Sequence, residues 1–187
     1  LTQKHSNLEL ESVYNMKQLF YTLLVLMFFS CDKEDAWDCI QTAGAPVVQV
    51  LNVEAFERIL VNRDIKLVVK QGHDYKVEIQ TGENLLGTIE VLVVDHELQL
   101  SNTNNCNYVR DFGLTKMIVT TPALKGIRSS TQYLTSSEGV LNFESLALVS
   151  ENFNSNYLSS GDFKLTIDTQ SLSVIANNLS SFNISGT

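Results

Sequence analysis

A histidine beside an aspartate is one arrangement that can supply a general base. The chain offers it twice, at His73-Asp74 and Asp95-His96. Both pairs stand between runs of alternating apolar and polar residues, where Asp and His are ordinary turn formers, so they are read as turns. Glycoside hydrolysis needs two carboxylates facing each other across the sugar. The C-terminal part holds Glu138, Glu144, Asp162 and Asp168 among the glycines Gly139, Gly161 and Gly186. Glu138 comes one residue before Gly139, whereas Asp162 comes one after Gly161. Glu144 lies five after Gly139, and the matching position after Gly161 is Thr166. The carboxylates therefore do not fall in register. A lyase would need an acidic calcium cluster and a basic residue to abstract the proton, yet Lys164 is the one basic residue beyond Arg128. Fourteen serines lie between residues 129 and 187 without a G-x-S-x-G nucleophile motif among them. No catalytic residue, metal site or cofactor is expected from these patterns.

The three cysteines carry other chemistry. Neither a C-x-x-C spacing nor a Cys/His cluster is present, which argues against zinc. Cys31 closes a segment that starts Met16-Lys17 and runs through eleven largely apolar residues, 19–29. That run is too short to span a bilayer, which takes roughly 20 residues. A basic start, an apolar core and a small residue before the processing point are the layout of a secretory signal. The competing reading, a buried apolar element, fits less well with the abrupt change to Cys31-Asp32-Lys33-Glu34-Asp35. Phe28-Phe29-Ser30-Cys31 resembles a bacterial lipobox, with Phe where Leu is commonest. The resemblance implies cleavage before Cys31 and lipid on its thiol. Residues 16–30 are then the signal peptide, residues 1–15 an upstream extension foreign to the mature protein, and residues 31–45 a tether. Lys33-Glu34-Asp35 resembles the surface-export signal of Bacteroidota lipoproteins. Cys39 and Cys106 remain, and an even remainder in an oxidising compartment predicts a disulfide, with two free buried thiols as the other reading.

Those groups need a scaffold. Of 187 residues, 44% are hydrophobic and 18% charged, and the net charge is −8. Residues 1–30 hold two Lys and two Glu, so their removal leaves that balance unchanged. An acidic chain lacks the basic footprint of a nucleic-acid binder. Period 2 places Ile65, Leu67 and Val69 on one face of a strand, and residues 75–80 repeat the alternation, with residues 71–74 as the turn between them. Residues 89–94 and 97–101 form a second pair across Asp95-His96, residues 117–121 a further strand stopped by Pro122, and Asn84-Leu85-Leu86 one short helical turn. These strands make up an N-terminal β part, residues 46–121.

From residue 122 onward the pattern becomes repetitive. Gly139, Gly161 and Gly186 are spaced by 22 and 25 residues. Counted from the first two, Leu141 and Phe143 match Phe163 and Leu165; Tyr157 matches Phe182 before the other two. Ser145-Leu146-Ala147-Leu148-Val149 matches Ser171-Leu172-Ser173-Val174-Ile175. Short strands between Ser/Asn/Gly turns at such a period predict stacked β-solenoid rungs over residues 122–187. A terminal cap is not evident, so the solenoid is expected to be incomplete at its C-terminus.

Phe56-Glu57-Arg58-Ile59, residues 65–72, 75–79 and 84–86, the run from Asp95 to Leu100, residues 105–110 and Thr121-Pro122-Ala123-Leu124 together resemble the putative autotransporter adhesin head GIN domain family, over roughly residues 47–187. A literal Gly-Ile-Asn signature is absent; the nearest stretches are Gly139-Val140-Leu141-Asn142 and Ser160-Gly161-Asp162-Phe163. The resemblance implies an all-β fold, a right-handed parallel β-helix of pectin-lyase-like architecture without that architecture's catalytic residues, and a role in adhesion. The expectation is a lipid-anchored outer-membrane protein, displayed at the cell surface, that binds a glycan or protein and does not catalyse. Its membrane partner would be reached through the N-terminal lipid. The alternative is a carbohydrate-active enzyme whose site lies in further C-terminal rungs.

Overall fold

The computed structural model describes residues 39–104, 106–151, 161–177 and 179–186. The expected extension, signal peptide, Cys31 lipidation site, Lys33-Glu34-Asp35 and Tyr157 lie outside the described residues.

Thirteen strands are described, in chain order β1 (Pro46–Asn52), β2 (Arg58–Asn62), β3 (Ile65–Gln71), β4 (Lys76–Gly82), β5 (Ile89–Val94), β6 (Glu97–Asn102), β7 (Thr115–Thr121), β8 (Gly126–Ser130), β9 (Thr135–Asn142), β10 (Ser145–Ser150), β11 (Phe163–Asp168), β12 (Ser171–Ala176) and β13 (Phe182–Ser185). A short 3-10 helix, Glu83–Thr88, follows β4 where the sequence predicts a helical turn. One sheet has the order β1-β4-β7-β3-β9-β11-β13 and the other β12-β10-β8-β2-β6-β5.

The expected right-handed parallel β-helix is not what forms: the described residues make an all-β structure of two mixed sheets and no closed solenoid. Two features overturn that expectation. A coil wound without interruption stacks its strands in sequence order, whereas here β3 lies between β7 and β9, and β2 between β8 and β6. In addition, β1, β4 and β5 pair antiparallel with their neighbours, while the remaining ladders are parallel. Strands before and after Pro122 belong to the same two sheets.

Period-2 alternation accounts for the central strands. Ile65, Leu67 and Val69 of β3 are buried, and Lys66 and Lys70 are exposed. They share one core with Met117 and Val119 of β7 and with Ile59, Val61, Leu98, Leu100 and Leu148 from the other sheet. Apolar burial at about 25 cal/mol per Å2 is the main force holding the two sheets together. β2 shows no alternation because Ile59, Leu60 and Val61 are all buried.

Residues 71–74 were expected to turn a hairpin, yet β3 and β4 are not neighbours: β7 runs between them. Gly72 makes that crossing, with its N–H donating to the Thr121 carbonyl at 3.1 Å. The hairpin across Asp95-His96 does form. Both residues have positive φ, 49° and 61°, as a two-residue hairpin turn demands. The His96 carbonyl accepts from Glu57 N–H at 2.9 Å, so the turn also anchors the start of β2.

The expected match of residues 145–149 with 171–175 is the observed β10–β12 register. The expected alignment of Leu141 with Phe163 is not observed. Phe163 pairs with Thr135, and Leu141 with Ile167. The register shifts between Lys164 and Thr166, where β9 carries extra residues that include Gly139, φ +79°. Gly139 thus marks a bulge, so it is not equivalent to Gly161 and cannot serve as an origin for the repeat.

Candidate functional site

Residues 103–114 connect β6 to β7, and side-chain hydrogen bonds tie the described residues of that loop together. Asn104 is buried; its Oδ1 accepts from Arg110 Nη2 at 2.6 Å and from Cys106 N–H at 3.3 Å. Arg110 also donates to the carbonyls of Gln41 and Cys106, both at 2.9 Å. Asn107 clasps the backbone three residues on, accepting from Arg110 N–H at 3.0 Å and donating to the Arg110 carbonyl at 2.8 Å. Cys39 and Cys106 are joined by a disulfide with Cα atoms 4.4 Å apart, and Tyr108 N–H donates to the Cys39 carbonyl at 2.8 Å. Residues 39–45, at the end of the expected tether, lie against the 3-10 helix. Asn84 N–H donates to the Ala43 carbonyl at 3.1 Å, and Gln41 Nε2 to the Asn84 carbonyl at 2.9 Å.

What this framework holds up is apolar. Tyr108 is 81% exposed, Phe112 74% and Val109 55%. Exposed aromatics on a braced loop are unusual for a surface that only meets water. Beside them is a pocket of about 120 Å3 lined by residues that include Asp64, Asn102, Arg110, Asp111 and Phe112. It is much smaller than the roughly 300–1,000 Å3 of a site that engulfs a small molecule. The geometry suits a ligand lying across the loop with one substituent in the pocket.

The loop runs into the outer face of the seven-stranded sheet. A Cβ at Gly113 would sit 2.9 Å from the Tyr133 ring and 3.0 Å from Lys66 Cε, so the loop touches both. Lys66 Nζ lies 5.6 Å from the centre of the Tyr133 ring, in cation–π range. Burial pushes the Tyr133 phenol up, and the Asp64 charge adds to the effect. Lys66 of β3 pairs directly with Lys116 of β7. Further along, Lys70 of β3 pairs with Glu138 of β9 and donates to its carboxylate, which holds that carboxyl below its usual range.

The residues weighed for catalysis are dispersed. His73 lies between β3 and β4, and His96 in the β5–β6 turn. Glu138 pairs with Lys70, Asp162 accepts from Ser181 N–H at 2.8 Å, and Asp168 accepts from Asn142 at 3.4 Å. Among the described residues, no three His, Cys, Asp or Glu are grouped as a metal would need. No helix among them is long and apolar enough to cross a membrane. The aromatic loop escaped the sequence reading, which uses residues 105–110 only for a family resemblance. The available signal was two aromatics, Tyr108 and Phe112, in a polar stretch without strand periodicity beside a cysteine.

Comparison with solved structures finds the same fold in a putative adhesin from Bacteroides fragilis NCTC 9343, at 19% identity and TM-score 0.65, over 75% of this chain and 63% of that one. A putative adhesin from Parabacteroides merdae ATCC 43184 matches at 14% identity and TM-score 0.56, over 72% of this chain and 54% of that one. A third, from Parabacteroides distasonis ATCC 8503, matches at 14% identity and TM-score 0.52, over 78% and 68%. The chain thus spans less than two thirds of the first two structures it resembles. A comparison with curated proteins gives no match. The family model described as putative auto-transporter adhesin, head GIN domain, matches residues 55–187, and the chain belongs to that family.

Proposed function

We propose that the protein is a non-catalytic adhesin, anchored in the outer membrane by lipid on Cys31 and displayed at the cell surface through Lys33-Glu34-Asp35. The observation that carries the binding function is the loop of residues 103–114, which presents Tyr108, Val109 and Phe112 on a frame of disulfide and hydrogen bonds. Such a frame lets the rings meet a partner without first losing conformational freedom. The family membership supports adhesion as the purpose of that contact.

Cells displaying the full chain should adhere to a host-cell layer, and Tyr108→Ala/Phe112→Ala should reduce adhesion with an unchanged melting temperature. Undiminished adhesion by that variant would remove the loop from the proposal. Mass spectrometry of the membrane fraction should find a lipid-modified Cys31 at the N-terminus; an unmodified Cys31 would end the anchoring claim.

A further inference from the structure

We infer that the surface formed by Phe112, Tyr133 and the Lys66–Lys116 pair binds an acidic glycan, a saccharide bearing carboxylate or sulfate groups. The inference rests on the adhesin reading and names its ligand class.

The lysine pair is the unusual feature. Lys66 and Lys116 are in direct register on neighbouring parallel strands. Like charges placed opposite one another destabilise a sheet. The same outer face shows the ordinary solution at Lys70, whose cross-strand partner is Glu138. Among the described residues neither Lys66 nor Lys116 has an ion pair, although the whole chain has an acidic excess of eight. Lys116 feels the Glu138 carboxylate only at a distance and Lys66 faces the Tyr133 ring, so neither ammonium has a carboxylate in direct contact; an ammonium recognises carboxylate and sulfate oxygens by charge-assisted hydrogen bonds.

The surroundings specify a sugar. Gly113 contacts both Tyr133 and Lys66, so the loop bearing the exposed Phe112 ring adjoins the charged pair. Flat aromatic rings suit the C–H faces of a pyranose. Gln80, whose Nε2 donates to Glu78 at 2.6 Å, is the other cross-strand neighbour of Lys116, and its amide oxygen can accept from a hydroxyl group. Asp111, on the pocket wall, is exposed and has no hydrogen bond or ion pair among the described residues. A free carboxylate acceptor suits the hydroxyl donors of a sugar.

Surface plasmon resonance on the full chain in neutral detergent tests this, with polygalacturonate and chondroitin sulfate as acidic probes, dextran as the neutral probe, and phosphatidylserine/phosphatidylcholine vesicles. We expect binding to at least one acidic probe, not to dextran, that weakens as salt rises. Lys66→Gln/Lys116→Gln keeps the aliphatic stems and should weaken it about 10- to 100-fold. Lys66→Arg/Lys116→Arg should retain it, and Lys164→Gln on the same sheet should leave it unchanged. Equal binding of dextran, insensitivity to the lysine pair, tighter binding of the vesicles, or no glycan binding would each overturn the inference. The adhesin reading survives those results if cells displaying the full chain still adhere to a host-cell layer, and fails separately if they do not.

Discussion

At the scale of single residues, burial and partners decide what each reactive group does. The disulfide separates its cysteines by 67 residues. On the chain-entropy account a loop of that length contributes about 4 kcal/mol, mostly by restricting the unfolded chain. Cys39→Ser/Cys106→Ser should therefore unfold at markedly lower denaturant, and a change below about 1 kcal/mol would show that the bond constrains little. Tyr133 permits a pH prediction. Its phenol is raised above the ordinary 10.0, first by burial and then by Asp64. The folded state thus favours the neutral form. This contribution is present below pH 10 and is lost as pH rises through the raised value. Ultraviolet titration should find one tyrosine with a late midpoint that disappears in Tyr133→Phe. An unchanged alkaline titration in that variant would refute the assignment.

At the scale of elements, the C-terminal strands show how a repeat is read out of register. The glycines offered spacings of 22 and 25 residues and the Ser145 and Ser171 segments one of 26, and only the last is used. Gly139 sits in a bulge of β9, where a Cβ would meet open space. Gly161 has a different role: a Cβ there would lie 2.2 Å from the Tyr133 carbonyl oxygen. The chain can pass that close only without a side chain. Phe163 is fully buried and stacks on Phe182 with ring centres 4.8 Å apart. Phe163→Ala should cost about 3–5 kcal/mol. Phe182→Ala should cost less, because Phe182 is half-buried on an edge strand. Equal losses in urea unfolding would contradict that ordering.

At the scale of the whole molecule, the two sheets are protected unevenly. β3 and β7 lie inside their sheet with neighbours on both sides, whereas β12 and β13 are edge strands. Leu146 and Leu148 of β10 are buried, yet their partners Leu172 and Val174 on β12 are 41% and 45% exposed. Local stability follows buried contacts and paired backbone. Amide hydrogen exchange should therefore be fastest in β12 and β13 and slowest in β3 and β7. Protection of β12 equal to that of β3 would mean its exposed face is covered in solution.

Those strand positions mark the boundary between sequence and tertiary structure. Local physics is legible in the sequence. Alternation located β3 and β4, and short apolar runs located β5, β6 and β7, because a strand with one buried face repeats every second residue. Asp95-His96 marked a hairpin, because that turn needs residues tolerant of positive φ. The Ser145 and Ser171 segments announced their pairing by likeness. β2 was illegible because it is buried on both faces and loses its period. The crossing at Gly72 was illegible because nothing local indicates that β7 will enter between β3 and β4. The site belongs to the same class. Lys66 and Lys116 are 50 residues apart in the chain, and Tyr133 is further still. Composition recorded their charges and rings, but only the ladder between β3 and β7 and the contact at Gly113 made them neighbours. The sequence by itself determined the all-β class, several of the strands, one hairpin turn and the family resemblance. The tertiary structure decided the strand order and the binding face, because those depend on contacts between residues far apart in the chain.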